Sequence, residues 1–368
     1  MLPRGARERT SAGEGTITPT RSRELMNVFY AGPQCVMLAG ARPSATMNTA
    51  AHASAADAIS AAQPPPLGAR IVGIVLRVVQ AGVTAMPLRP ALWIGRRMGD
   101  LAYYVVYPRT RVALEQIASA LGESLTPAAQ RATIRGMYRH FGQGVIEFLR
   151  LPRMVAEGRL DDQIRVEGEA HLRDAYAQGK GVLILTAHYG NFELLASFFA
   201  ARGYQVNLVT RRLRNGVLDW FWAAQRRRLG IRAIFKEQSL KEVIARLRRN
   251  EAMGYVLDQN MGPDQGVFVE FFGRQACTMT AVAVLAKRFG SPVVPVFITR
   301  DPADPTRHRI VFEPVLGFEP ASGAGGADQD VRSHTQRYTT VIERRIRERP
   351  DHWIWIHRRW KTRPPAEA

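Results

Sequence analysis

Five short apolar runs, "GVLILTA", "YQVNLVT", "IRAIF", "AMGYVLD" and "SPVVPVFIT", punctuate residues 181–299, with helical text such as "SLKEVIARLRRN" between them. Runs this short and this apolar have the length of strands, and the absence of a polar alternation implies burial on both faces. When such strands alternate with helices, the stable arrangement is a largely parallel central sheet flanked by helices. The expected fold class is therefore α/β. In open sheets of this kind, ligands bind beyond the carboxyl ends of the strands, where helix N-termini also point.

That rule directs attention to "GVLILTAHYGNFELLA", residues 181–196. His188 stands where strand gives way to helix. Gly190 permits a tight turn, Asn191 is a predicted N-cap, and Glu193 falls in the first helical turn, close enough to fold back onto the imidazole. A carboxylate there fixes the tautomer and stabilises the imidazolium, which makes His188 a candidate general base for a hydroxyl. The plain alternative is a histidine satisfied by local hydrogen bonds, with a glutamate placed for the helix dipole. Asp258 and Gln259 end another apolar run and are expected at the same site, with loop capping as their plain alternative. No G-x-S-x-G elbow is present, and Cys277 has no motif of its own, so no covalent intermediate is expected. The two cysteines, Cys35 and Cys277, lack disulfide-framework or metal-type spacing, so no metal is expected.

The chain divides by composition. Residues 1–66 are rich in Ala, Ser, Thr, Gly and Pro, show no sustained apolar periodicity and read as disordered or as an extension. They hold six Arg against three Glu and one Asp, leaving +17 of the +19 formal charge on the remainder. A field of that sign favours acidic partners: nucleic acid, an anionic membrane surface or an acidic carrier protein. Residues 67–108 are apolar but interrupted by Arg77, Pro87, Pro90 and the pair Arg96 and Arg97. They are expected to be a membrane-associated helical segment, either a short span or a monotopic hairpin with Trp93, Tyr103, Tyr104 and Tyr107 at the interface. Buried core helices are the alternative. Residues 109–368 form the expected catalytic domain, opening with a helix capped by Thr126 before Pro127.

Taken together, "GKGVLILTAHYGNFELLA", "VTRRLRNGVLDWF", "GYVLDQNMGPDQGVFVEFFGRQACTMTAVAVLAKRFGSPVVPVFI" and "RPDHWIWIHRRWK" resemble, in order, the blocks of the bacterial lipid A biosynthesis acyltransferases. That family is the lauroyl and myristoyl transferase branch of the lysophospholipid acyltransferase-like superfamily. The resemblance implies transfer of a fatty acyl chain from acyl carrier protein to a hydroxyl of a lipid A precursor, without metal or other cofactor, at the cytoplasmic face of the bacterial inner membrane. It implies His188 as the base, Glu193 as its partner, and Arg211 or the adjacent Arg212 in substrate or oxyanion contact. Gly273 would let a ligand approach the backbone, an ordinary turn being the alternative.

The same H-x4-D/E core would serve a mannosylated phosphatidylinositol or another glycolipid acceptor with acyl-CoA as donor, or be retained in a non-catalytic membrane-binding relative. The terminal stretch places Trp353, Trp355 and Trp360 beside His357, Arg358, Arg359 and Lys361, which suits an anionic headgroup interface. Nucleic acid is not an expected partner, because no RRM, KH or helix-turn-helix pattern accompanies those residues.

Overall fold

All five apolar runs become neighbouring strands of one sheet. The computed structural model describes residues 67–210, 215–235, 239–319 and 326–365; the expected extension 1–66 and both Arg211 and Arg212 lie outside them. In chain order the strands are β1 (Ile164–Glu167), β2 (Val182–Thr186), β3 (Val206–Thr210), β4 (Arg232–Phe235), β5 (Ala252–Val256), β6 (Gly266–Phe271), β7 (Arg274–Met279), β8 (Val293–Arg300) and β9 (His308–Phe312). The main sheet has the order β1-β9-β8-β2-β5-β3-β4. From β8 to β4 every pairing is parallel. β9 pairs antiparallel with β8, and β1 runs parallel to β9, so these two oppose the other five. β2 lies in the interior of the sheet and is buried along its whole length, as a central parallel strand covered on both faces requires.

The covering helices are α1 (Leu67–Ala85), α2 (Leu88–Val105), α3 (Tyr107–Leu121), α4 (Pro127–Ala156), α5 (Glu169–Ala177), α6 (Phe192–Ala201), α7 (Gly216–Arg228), α8 (Ser239–Arg248), α9 (Ala281–Phe289) and α10 (Gly326–Glu348). Thr126 caps α4 by accepting from the Ala129 amide at 3.3 Å. A core of strand and helix side chains, among them Phe148, Ile184, Leu195, Phe198, Phe199 and Val294, joins α4 and α6 to the sheet. Burial of each such side chain is worth roughly 1.5–3 kcal/mol.

The segment 67–108 folds as α1, α2 and the start of α3, with α1 and α2 packed on α4. No helix among the described residues is long and apolar enough to cross a membrane. On α2, Ala91, Leu92, Gly95, Gly99 and Ala102 are buried, and Asp100 receives Arg135 and Arg139 of α4 at 2.6 and 2.7 Å. The opposite side stays open: Val75, Val78, Trp93, Leu101, Tyr104 and Tyr107 are all more than half exposed.

The small second sheet is the β6–β7 hairpin, and its two-residue turn explains Gly273. Phe272 and Gly273 both have positive φ, 54° and 69°, the signature of the turn that matches strand twist in a tight hairpin. A Cβ on Gly273 would meet nothing within 4 Å. The turn geometry accounts for a glycine at this position.

Candidate active site

Strand register builds the site. Thr186 of β2 pairs with Val256 of β5, and the ladder continues through the Leu257 amide to the Thr186 carbonyl at 3.0 Å. His188 and Asp258 each lie two residues beyond those partners, so parallel strands about 4.8 Å apart deliver them side by side at their carboxyl ends. The His188 Nδ1 lies 2.9 Å from Asp258 Oδ1. The other oxygen, Oδ2, accepts the His188 backbone amide at 3.0 Å and the Trp353 indole N–H at 2.6 Å. His188 is 3% exposed and Asp258 4%. Burial alone would raise the Asp258 carboxyl, but the facing His188 and these three hydrogen bonds outweigh it and hold it below its ordinary value. An ionised carboxylate only accepts, so in the neutral form of the ring Nδ1 carries the proton and the lone pair is on Nε2.

Gln259 lies over the imidazole. Its amide nitrogen is 3.3 Å from Nδ1 and 3.2 Å from Nε2. Near-equal distances to two nitrogens on either side of one ring carbon, without collision with that carbon, place the amide over the ring face. The in-plane direction of the Nε2 lone pair is therefore not its hydrogen-bonding direction. Phe192 packs T-shaped with the same imidazole, with ring centroids 5.4 Å apart and the planes at 79°.

The turn after His188 is held from three sides. Gly190 has φ +62°, and a Cβ there would stand 1.9 Å from the Ile298 carbonyl oxygen, so only glycine fits. Asn191 caps α6 by accepting from the Leu194 amide at 3.1 Å, and it donates to Glu147 of α4 at 2.7 Å. Glu147 in turn receives both terminal nitrogens of Arg300, at 2.5 and 2.7 Å, and His308 Nε2 at 2.9 Å. Burial would raise the Glu147 carboxyl, yet Arg300 and His308 drive it far below the carboxylate range.

Glu193 does not meet the imidazole. Its carboxylate accepts Trp222 Nε1 at 3.0 Å and a two-pronged contact from Arg226, at 3.1 and 2.5 Å. Both partners belong to α7. The structure thus gives His188 a different carboxylate from the one that sequence spacing suggests, because Asp258 arrives in register from the adjacent strand while Glu193 sits on a helix facing α7.

The terminal cluster also lies elsewhere than expected. Trp353 is 1% exposed, and Trp355 and Arg359 are fully buried. Trp353 bridges to Tyr189, and the Ile354 amide donates to the His188 carbonyl at 3.1 Å. Arg359 donates to the Gln259 and Cys277 carbonyls at 3.2 and 2.8 Å and to Thr278 Oγ1. Burial, the larger effect, pulls its guanidinium down to about 10. This segment backs the site, and of the expected basic cluster Arg358 and Lys361 face solvent.

Two apolar cavities flank the turn. One, with about 570 Å³ of empty space, lies between the sheet and α6; Thr186, Phe199, Leu208, Gly254 and Arg226 are among its lining residues. The other, about 470 Å³, lies against α4 and is lined by Met137, Phe141, Phe148, Trp222 and Ile354 among others.

The model of the bacterial lipid A biosynthesis acyltransferase family matches residues 69–362. The chain belongs to this family. It is 26% identical to a lipid A biosynthesis lauroyltransferase of Escherichia coli K12 over 80% of this chain and 90% of that protein. It is also 24% identical to the lipid A biosynthesis palmitoleoyltransferase of the same strain, over 77% and 89%, and 24% identical to its myristoyltransferase, over 78% and 86%. Among solved structures, a 1-acyl-sn-glycerophosphate acyltransferase from Thermotoga maritima aligns over 69% of this chain and 97% of that one, at 13% identity and a TM-score of 0.32. As a lipid A acyltransferase family member the chain is an acyltransferase, and its fold is an α/β sheet flanked by helices.

Proposed function

We propose that the protein transfers a fatty acyl chain from an acyl carrier protein thioester to a hydroxyl of a lipid A precursor, with His188 as general base and Asp258 as its orienting carboxylate. The observation that carries this reading is the buried His188–Asp258 pair at the carboxyl ends of β2 and β5, beside two apolar cavities, in a member of this family. The acceptor O–H gives its proton to His188 Nε2 as the oxygen attacks the thioester carbonyl. The C–O bond forms, and the tetrahedral intermediate collapses with breakage of the C–S bond. The proton passes from the imidazolium to the departing thiolate. Asp258 steadies the imidazolium between these two transfers. Arg211 or Arg212 is the proposed contact for the oxyanion or for an acceptor phosphate.

The exposed apolar side of α1 and α2 supports a place on the membrane surface. Val78, Trp93, Leu101 and Tyr104 are exposed, and Arg97 lies over the Trp93 ring at 5.3 Å, a combination suited to the headgroup boundary of an anionic bilayer. The proposed location is the cytoplasmic face of the inner membrane, where an acidic carrier protein and an anionic glycolipid would both be drawn to the basic folded region. Mass spectrometry of a reaction containing purified protein, lauroyl-acyl carrier protein and a lipid A precursor tests the proposal. The expected product is the precursor heavier by one acyl group, with one carrier thiol released per transfer. Unchanged lipid, or transfer only from acyl-CoA to a different glycolipid, would refute it.

A further inference from the structure

Glu193 occupies the motif position of a catalytic carboxylate, yet both of its oxygens are turned away from His188. Where they turn is informative. The residues that line both cavities are Phe192 and Glu193. Of the two side chains that Glu193 holds, Arg226 faces the cavity over the sheet, and Trp222 faces the cavity against α4. Trp222 is further stacked on Phe148, with ring centroids 4.3 Å apart. Glu193, Arg226 and Trp222 therefore form a wall with one cavity on each side. Phe192 also lines both cavities, and its ring packs T-shaped with the imidazole, centroids 5.4 Å apart.

A buried ion pair is an expensive way to build a wall between two apolar spaces, since removing both charges from water costs about as much as their attraction returns. Apolar side chains of equal volume would fill the same place. What the pair adds is fixed geometry: a two-pronged guanidinium contact and an indole N–H lock three side chains from two helices in one arrangement. A transfer between a fatty acyl thioester and a lipid brings two hydrocarbon chains to a single imidazole. A rigid divider keeps the chains in separate slots and limits the length and shape of what each slot takes.

Building on the acyl-transfer reading above, we propose that Glu193 is a positioning residue that holds Arg226 and Trp222 as a wall between two hydrocarbon slots and so governs which acyl chain reaches His188, rather than orienting the imidazole. One methylene in an apolar pocket is worth about 10- to 200-fold in discrimination, so loosening the wall should be visible in donor preference.

The test compares kcat/KM for lauroyl, myristoyl and palmitoleoyl carrier-protein thioesters in wild type, Glu193→Gln, Arg226→Met and Trp222→Phe, with the pH–rate profile of each. Thermal melting selects the variants that fold. The expected result is that each folded variant changes the ratio between the best and worst donor by about tenfold or more, with the pH profile unmoved, and that Arg226→Met reproduces the effect of Glu193→Gln. A uniform fall in kcat across all donors with the ratio preserved, or a displaced pH profile in Glu193→Gln alone, would overturn the inference and leave the acyl-transfer reading standing. Absence of transfer by the wild-type protein would overturn both.

Discussion

Replacing Asp258 by asparagine exchanges one oxygen for an NH2 group and reverses the direction of a hydrogen bond. Two donors, the His188 amide and the Trp353 indole, point at Oδ2. The introduced amide would keep its single oxygen there, because turning its NH2 toward two N–H groups would leave all of them buried and unpaired. The NH2 would then take the place of Oδ1 and face His188 Nδ1, where the present separation is 2.9 Å. A donor at that position requires Nδ1 to accept, which moves the ring proton to Nε2 and removes the lone pair that the proposed mechanism uses to take the acceptor proton. In the serine protease triad this tautomer error lowers kcat by about 10⁴, equivalent to about 5.5 kcal/mol of barrier, and a loss of about 10³–10⁴ is expected here. The assay is steady-state acyl transfer from a carrier-protein thioester, with circular dichroism to establish that the variant is folded. A folded Asp258→Asn protein within about tenfold of wild-type kcat, with the same pH profile, would refute the assignment of Asp258 as the orienting carboxylate.

Other substitutions probe the frame around this pair. Gly190→Ala forces a Cβ to within 1.9 Å of the Ile298 carbonyl oxygen at φ +62°, and chemical denaturation should show a loss of about 3 kcal/mol or more. Burial and the neighbouring His188 keep His357 neutral, its pKa pulled down to about 4, so the unfolded chain takes up a proton below pH 6.5 while the folded one does not. Stability should be unaffected by this group above pH 6.5 and fall by about 3 kcal/mol as pH drops to about 4; His357→Gln should flatten that slope in urea melts, and an unchanged slope would contradict it. Arg359→Met leaves the Gln259 and Cys277 carbonyls and Thr278 without their buried donor and should cost about 3 kcal/mol or more, whereas Arg358→Ala should stay within about 0.5 kcal/mol.

The parallel strands were legible because an unbroken apolar run is itself the signature of a strand covered on both faces. The Thr126 and Asn191 caps were legible because capping is a local interaction. The convergence of His188, Asp258 and Gln259 follows from strand ends sharing one edge. Which carboxylate meets the imidazole was not legible, since strand order is a long-range property: β5 is the neighbour of β2 despite β3 and β4 intervening in the chain, and register then favours Asp258 over the nearer Glu193. β1 and β9 escaped for a different reason. "IRVE" and "HRIVF" mix charge with apolar residues as flanking strands do, and nothing local distinguishes them from loop. The terminal "WIWIHRRWK" has the composition of a membrane interface, but its burial depends on the turn after His188 and on β7, which supply partners for Trp353 and Arg359. The Glu147–Arg300–His308 group joins α4 to β8 and β9 across more than 150 residues, beyond the reach of any spacing rule.

The most direct measurement is the turnover of His188→Gln, which removes the imidazole while retaining polarity at the same point of the turn. Initial rates of acyl transfer from lauroyl-acyl carrier protein to a lipid A precursor would be compared with wild type at equal concentration, after thermal melting has established the fold of both. The account predicts a fall in kcat of about 10²–10⁴, the range supplied by a positioned general base. A folded His188→Gln enzyme within a few-fold of wild type would contradict it.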